Sequence, residues 1–344
     1  MNPIMLAIIL SSLAMGNIIT MSSSHWLFAW MGLELNTLAI IPVIAMQHHP
    51  RATEAATKYF LTQAAASATL LFASVMNAWS TGTWDITQLT NEHACTMLTL
   101  ALSMKLGLAP LHFWLPEVLQ GTTLSTALLI TTWQKLAPVS LLYLTYNTIN
   151  PSMFLTMGLL SAIIGGWGGL NQTQTRKIMA FSSIAHLGWM ATITTMNPDI
   201  LLLNLTLYII MTATTFMTLI LTTSKTIKDL SMSWTVSPPL TALMLVLLMS
   251  LGGLPPLTGF MPKWLILQEL TTNNLSTTAT VLALSALLSL FFYLRLSYTS
   301  TLTTFPTSAM NSGKWRFYPK LPMVTLTMML LPALLLLPIT PVLT

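Results

Sequence analysis

LSMKLGLAPLHFWLPEV, residues 102 to 118, is an apolar stretch of helix length that carries a lysine, a Gly-Leu-Ala-Pro run, a histidine, a second proline and a glutamate. Each is a poor choice for a helix in an apolar setting. Lys105 costs free energy in lipid, and Pro110 has no amide proton to donate and crowds the helix interior. The stretch also has a second copy: GLAPLHFWLP (107–116) aligns with GLPPLTGFMP (253–262). Gly, Leu, Pro, Leu and the last Pro coincide, Trp114 faces Phe260 and Leu115 faces Met261. What these paired interruptions do depends on the chain around them.

That chain has 344 residues, 54% hydrophobic and only 6% charged, with 24 methionines and many threonines. Soluble domains carry roughly a quarter charged residues. With a mean hydropathy of +0.73, this composition excludes a soluble globule and predicts an all-α, polytopic membrane protein. Its richness in Met and Thr is similar to that of proteins encoded in animal mitochondrial genomes. The single cysteine, Cys95, excludes an intrachain disulfide, a Cys-rich zinc site and an iron–sulfur cluster held by this chain alone. No cleavable signal is expected, since Met1 leads into apolar sequence without a basic segment.

Apolar runs between breakers give about eleven spans of the ~20 residues that cross the hydrocarbon layer. They are 3–20, 26–46, 59–79, 95–117, 123–145, 152–170, 178–196, 200–222, 239–267, 276–296 and 323–342, and the fourth and ninth contain the interruptions. The whole chain, 1–344, reads as one transmembrane domain. Residues 1–145 form a first repeat, 150–296 a second of inverted orientation, and 297–344 a loop with a C-terminal helix. If the spans alternate, Arg51, Lys58, Arg176, Lys177, Lys225, Lys228, Lys314, Arg316 and Lys320 fall on the N-terminal side. The opposite loops carry only Asp85, Glu92, Asp199 and Glu269. One-sided basic loops place the N-terminus in the cytoplasm or mitochondrial matrix. These charges read as solvated topology determinants, not as nucleic-acid contacts, and Arg295 reads as a snorkelling anchor.

Glu34, Lys105, Lys135 and Lys263 lie inside spans. Each costs ~2.5–3.5 kcal/mol at membrane depth, so a partner, a hydrated cavity or a function must offset it. Glycine and proline free backbone groups that lipid cannot satisfy, so each break must face protein or water. Broken helices paired in inverted repeats mark transporter-like folds with a midplane ion site. The breaks are expected around 107–111 and 253–259. Desolvation lowers a lysine's pKa and a nearby carboxylate raises it, so a Glu–Lys pair that opens and closes can load and release a proton. The competing reading is a static ion pair that fixes helix packing. His112, in the first gap, and His186, in FSSIAHLGWM, are candidate relays because histidine titrates near neutral pH. Glu117 is a candidate uptake or coupling residue. His25, His48, His49 and His93, with most of the tryptophans, read as interfacial. Five groups, Glu34, Lys105, Lys135, His186 and Lys263, are expected to avoid lipid along one polar axis.

WMGLELNTLAIIP around Glu34, MKLGLAPLHFWLPEV around Lys105, TTWQKLAP around Lys135 and GGLPPLTGFMPKW around Lys263 closely resemble the NADH–ubiquinone oxidoreductase chain 2 family. These are mitochondrially encoded, antiporter-like membrane subunits of respiratory complex I, and the resemblance covers essentially the full chain. It is to the animal version, which lacks the first three helices of bacterial relatives. It implies a subunit of a proton-translocating NADH:ubiquinone reductase, in the mitochondrial inner membrane with the N-terminus in the matrix. It implies no redox chemistry and no cofactor in this chain; flavin mononucleotide, iron–sulfur clusters, NADH and ubiquinone belong to the rest of the assembly. Glu34 then matches the carboxylate that pairs with a lysine, Lys105 the lysine before the first break, Lys135 the connecting lysine and Lys263 the lysine at the second break. Expected partners are other membrane subunits, the neighbouring antiporter-like subunit 4 and the small subunit 4L among them, and lipids such as cardiolipin, with no nucleic acid. A free-standing cation/proton antiporter is the alternative function, and an inert structural spacer the third.

Overall fold

The computed structural model describes residues 3–235, 237–301 and 323–340. Lys314, Arg316 and Lys320, most of the last loop and the end of the eleventh span lie outside them. Among the described residues, seven helical segments are long and apolar enough to cross a bilayer unaided: 3–22, 26–47, 50–81, 124–144, 151–169, 198–221 and 276–301. Two helix pairs, Glu92–Leu106 (α4) with Trp114–Gly121 (α5) and Pro238–Gly252 (α12) with Phe260–Thr272 (α13), account for the fourth and ninth spans. Thr175–Ile193 (α9) and Met323–Leu335 (α15) complete the eleven expected segments. No β-strand occurs among the described residues.

Both expected interruptions are present, at 107–113 and 253–259, the first two residues longer than the sequence suggested. Each opens in the same way. Gly107 and Gly253 sit at φ +79° and +81°, the left-handed region that glycine tolerates best. The Gly107 amide donates to the Ser103 carbonyl and that of Leu108 to the same oxygen; the Gly253 and Leu254 amides both reach the Met249 carbonyl. These are glycine caps of the Schellman type, which satisfy carbonyls a helix end would leave unpaired. The second half-helices then restart at Trp114 and Phe260, the residues the sequence alignment pairs.

A second correspondence lies outside the breaks. Before Trp26–Ile44 (α2), His25 forms an isolated antiparallel bridge with Asp85; before α9, Gln174 forms one with Thr226. The amides of Trp26 and Ile86 donate to the carbonyls of Trp84 and Ser24. Those of Thr175 and Ile227 donate to the carbonyls of Lys225 and Thr173, the same pattern in the same order. Matched bridges and matched caps in successive sets of five spans are the local signature of an internally repeated, antiporter-like architecture.

Two boundaries depart from expectation. The third span was expected at 59–79, but its helix, Pro50–Thr81 (α3), begins nine residues earlier. His49 accepts a hydrogen bond from the Arg51 amide, Pro50 occupies the first turn, and Glu54 pairs with Lys58 one turn on. Arg51 and Lys58 therefore stand on the helix and not in a loop. The fifth span was expected to be continuous but divides at Thr132 into Leu124–Thr131 (α6) and Trp133–Leu144 (α7). Thr131 and Thr132 turn their hydroxyls back onto the Ala127 and Leu128 carbonyls, at 3.0 and 2.7 Å. Pro138 inside α7 supplies no amide. Threonine back-bonding and proline both bend helices.

The chain divides into two compact units, 1–161 with 190–198, and 162–189 with 199–344. In the first, Pro3–Ser22 (α1) crosses α2 at Gly16 and Gly32. A Cβ on Gly16 would stand 2.4 Å from Asn36 Oδ1, and one on Gly32 2.8 Å from the Gly16 carbonyl oxygen. Small residues at such crossings let backbones approach where lipid offers no hydrophobic drive.

Candidate functional site

The first unit gathers three of the expected residues. Lys105, in the last turn of α4, is 4% exposed, yet among the described residues its amine has no hydrogen-bonding partner. It lines a cavity of about 10 Å³ with Asn36, Gln63, Trp114, Gln134 and Lys135, roughly the space one water molecule needs. Glu34, on α2, lies within electrostatic reach of Lys105. The two form no ion pair, and Glu34 Oε2, like Lys105 Nζ, is buried without a protein partner. Asn36 Oδ1 and Gln63 Nε2 are equally unpartnered.

Lys135, just past the Thr132 bend, is 1% exposed. Its amine donates to the carbonyl of Leu106, the last helical residue before the first break. It also sits 5.6 Å from the centre of the Trp114 ring, within cation–π range. Trp114 in turn donates its indole N–H to the Met104 carbonyl at 3.1 Å. The negative end of α4 is thus capped by an ammonium and an indole, as the helix dipole favours.

The second unit repeats the device with a different lysine. Lys263, in the first turn of α13, donates to the Gly252 carbonyl at 2.8 Å. Gly252 occupies in α12 the place Leu106 occupies in α4. In one half the lysine arrives from the next span; in the other it folds back from its own broken helix. His186 on α9 is buried, within electrostatic reach of Lys263, and its ring lies 5.6 Å from that of Tyr208.

The remaining candidates separate. His112 lies buried in the first gap, its Nδ1 without a protein partner. Glu117 pairs with Lys58 at 2.8 Å, both side chains about half exposed. His25 and His49 are helix N-caps, accepting from the amides of Leu27 and Arg51. Arg295 donates to the Leu170 carbonyl at 2.5 Å, beyond the end of Pro151–Gly169 (α8), and so caps that helix. Among the described residues no cluster of three or more His, Cys, Asp or Glu could hold a metal.

Sequence reading passed over Asn36, Gln63, Gln134 and Trp114. The amides did carry a signal, being polar side chains inside apolar spans, where such groups are costly and usually functional. Trp114 did not, because a tryptophan in an apolar helix reads equally well as a lipid-facing anchor.

The family described as NADH:quinone oxidoreductase/Mrp antiporter, transmembrane region, matches residues 23–289, and that described as NADH dehydrogenase subunit 2 C-terminus matches 290–344. NADH-ubiquinone oxidoreductase chain 2 of Salmo salar is 59% identical over 344 residues, covering 100% of this chain and 99% of the relative. That of Xenopus laevis is 58% identical over 341 residues, 99% of each. A chain of the solved respiratory complex I from Thermus thermophilus superposes with a TM-score of 0.81 at 27% identity, over 96% of this chain and 78% of that one. Identity at this level along the whole length, with both family matches end to end, means that the chain belongs to the NADH-ubiquinone oxidoreductase chain 2 family.

Proposed function

We propose that this chain is a membrane-arm subunit of respiratory complex I that moves protons across the mitochondrial inner membrane as NADH is oxidised by ubiquinone. Full-length identity to chain 2 relatives, in place of free-standing antiporters, supports the assignment to an NADH–ubiquinone oxidoreductase. The chain is multi-pass and mitochondrial, by its helices and its animal relatives. Its N-terminus faces the matrix, where the basic loops gather. The repeats run over 1–145 and 150–296, followed by a loop and C-terminal helix. The neighbours are other complex I membrane subunits, with subunit 4 and subunit 4L beside this chain and cardiolipin at its surface. The chain does no redox chemistry itself.

One observation carries the proton role: a lysine amine is docked on the same carbonyl position of each broken helix, Lys135 on Leu106 and Lys263 on Gly252. An ammonium at a helix C-terminus is held by the dipole and by a charge-assisted hydrogen bond of ~1.5–3 kcal/mol. Losing its proton forfeits most of that. Docking therefore favours the loaded lysine, and displacement from the carbonyl favours release. Lys105, beside its small cavity and within reach of Glu34, holds or yields a proton as the carboxylate approaches or withdraws. Station one is Glu34, Lys105 and Lys135 with His112; station two is Lys263 with His186. The test replaces Lys135 or Lys263 by methionine in the assembled complex and reads protons moved per NADH oxidised in sealed vesicles. Each variant should retain electron transfer with a reduced proton yield. Wild-type yield in both would refute the reading.

A further inference from the structure

The second break carries a side chain that neither station uses. Thr258 is fully buried inside the gap, and its hydroxyl donates to the carbonyl of Ala333, 75 residues away on α15. Ala333 lies in the last turn of that helix, where carbonyls have no intrahelical donor. α15 turns one stripe inward, Leu326, Leu330 and Ala333, all under a tenth exposed, while Val324, Met328 and Leu331 are more than 60% exposed. The helix therefore lies over its own unit on one face and presents the other outward. In the alignment of the two breaks, the position of Thr258 is taken by His112, which is buried with its Nδ1 unpartnered.

The gap is thus fastened at both ends. At one, the Lys263 amine holds the Gly252 carbonyl and lies against Gly253, where a Cβ would stand 2.9 Å from it. At the other, Thr258 ties the gap to α15. Between them the backbone has no slack, since a Cβ on Gly259 would stand 1.7 Å from the Ser250 carbonyl oxygen. A seven-residue segment clamped twice keeps the carbonyl at its entrance in place. Released at Thr258, it keeps the lysine and the glycine cap at its entrance but loses its tie to α15.

We propose that Thr258 is a positioning residue of the second break: its hydroxyl fastens the C-terminal helix across the gap and so keeps the Gly252 carbonyl where Lys263 docks. Its functional consequence rests on reading Lys263 as a proton carrier; the fastening itself does not. Two readouts keep them apart. In the assembled complex, hydrogen–deuterium exchange is followed in peptides covering 253–263 and 323–335, and proton yield is measured alongside. Thr258→Val keeps the shape but removes the donor, and should speed exchange in both peptides about fivefold, the factor expected for one lost hydrogen bond. Proton yield should fall while NADH oxidation persists, and Thr258→Ser should restore both. Unchanged exchange in the valine complex overturns the proposal. Faster exchange with a normal yield upholds the clamp and overturns the role given to Lys263. Should the valine complex fail to assemble, the unmutated complex decides: the clamped second break should exchange more slowly than 107–117, and the opposite order overturns the proposal.

Discussion

Lys105 distinguishes a carrier from a strut. It is buried, its amine is unpartnered, and Glu34 is near without touching it. That geometry suits a group whose charge comes and goes better than a static pair, which would sit at hydrogen-bond distance. Methionine in its place keeps the length and removes the proton; arginine keeps the charge and never releases it in this range. A strut would tolerate arginine and not methionine, whereas a carrier fails with both. Assembly is checked first, because removing the Lys105 charge leaves a carboxylate whose Oε2 is buried without a protein partner still less compensated. The expected outcome is a lowered proton yield in sealed vesicles for Lys105→Met and Lys105→Arg alike; normal pumping by the arginine complex would make Lys105 structural. The four ionisable residues inside spans were legible in the sequence because charge at membrane depth is expensive and therefore conspicuous. What each amine touches was not. Nothing in TTWQKLAP reveals that Lys135 reaches the Leu106 carbonyl, since that contact depends on the Thr132 bend and on helices distant in sequence.

The broken helices were legible as elements for a local reason: glycine and proline act on the backbone within a few residues of themselves. Gly107 and Gly253 set their caps whatever surrounds them, so two ten-residue strings sufficed to place both gaps. Thr132 escaped because its bend arises from hydroxyl back-bonding and a proline six residues away, neither of which forces a break alone. The early start of α3 escaped because hydropathy marks where lipid begins and not where the helix does. Glycine at the second cap has two duties that substitution separates. Gly82, ending α3, shares the positive φ, at +72°, but a Cβ there meets nothing within 4 Å. Gly82→Ala should therefore cost only the left-handed strain, ~1–2 kcal/mol. Gly253→Ala adds a collision with the Lys263 side chain at 2.9 Å. Both complexes should lose NADH:ubiquinone activity at a lower temperature than wild type. Only the Gly253 variant should also lose proton yield, and equal yields in the two would remove the link between cap and lysine.

On the level of the whole molecule, the sequence supplied class and span number from composition and hydropathy, because a bilayer imposes those directly. It could not divide the chain into the two compact units seen here, since apolar spans look alike whichever neighbours they meet. Nor do the intramembrane lysines separate a subunit of a redox-driven pump from a free-standing antiporter: the same broken helices and buried amines serve both. Relatives along the full length do separate them, and the consequence can be measured. Large apolar side chains stay exposed on the isolated chain, among them Phe28, Met31 and Leu38 along one face of α2. In a membrane arm such a face is covered by lipid or by neighbouring subunits, and mild detergent leaves subunit contacts in place. Mitochondrial membranes solubilised in this way and run on a native gel should carry this chain only in a very large band that oxidises NADH in the gel. The same band cut out and denatured should release the chain alongside other membrane subunits. A discrete small species holding most of the chain, with no NADH-oxidising activity, would instead describe an independent transporter, and the assignment to complex I would fail.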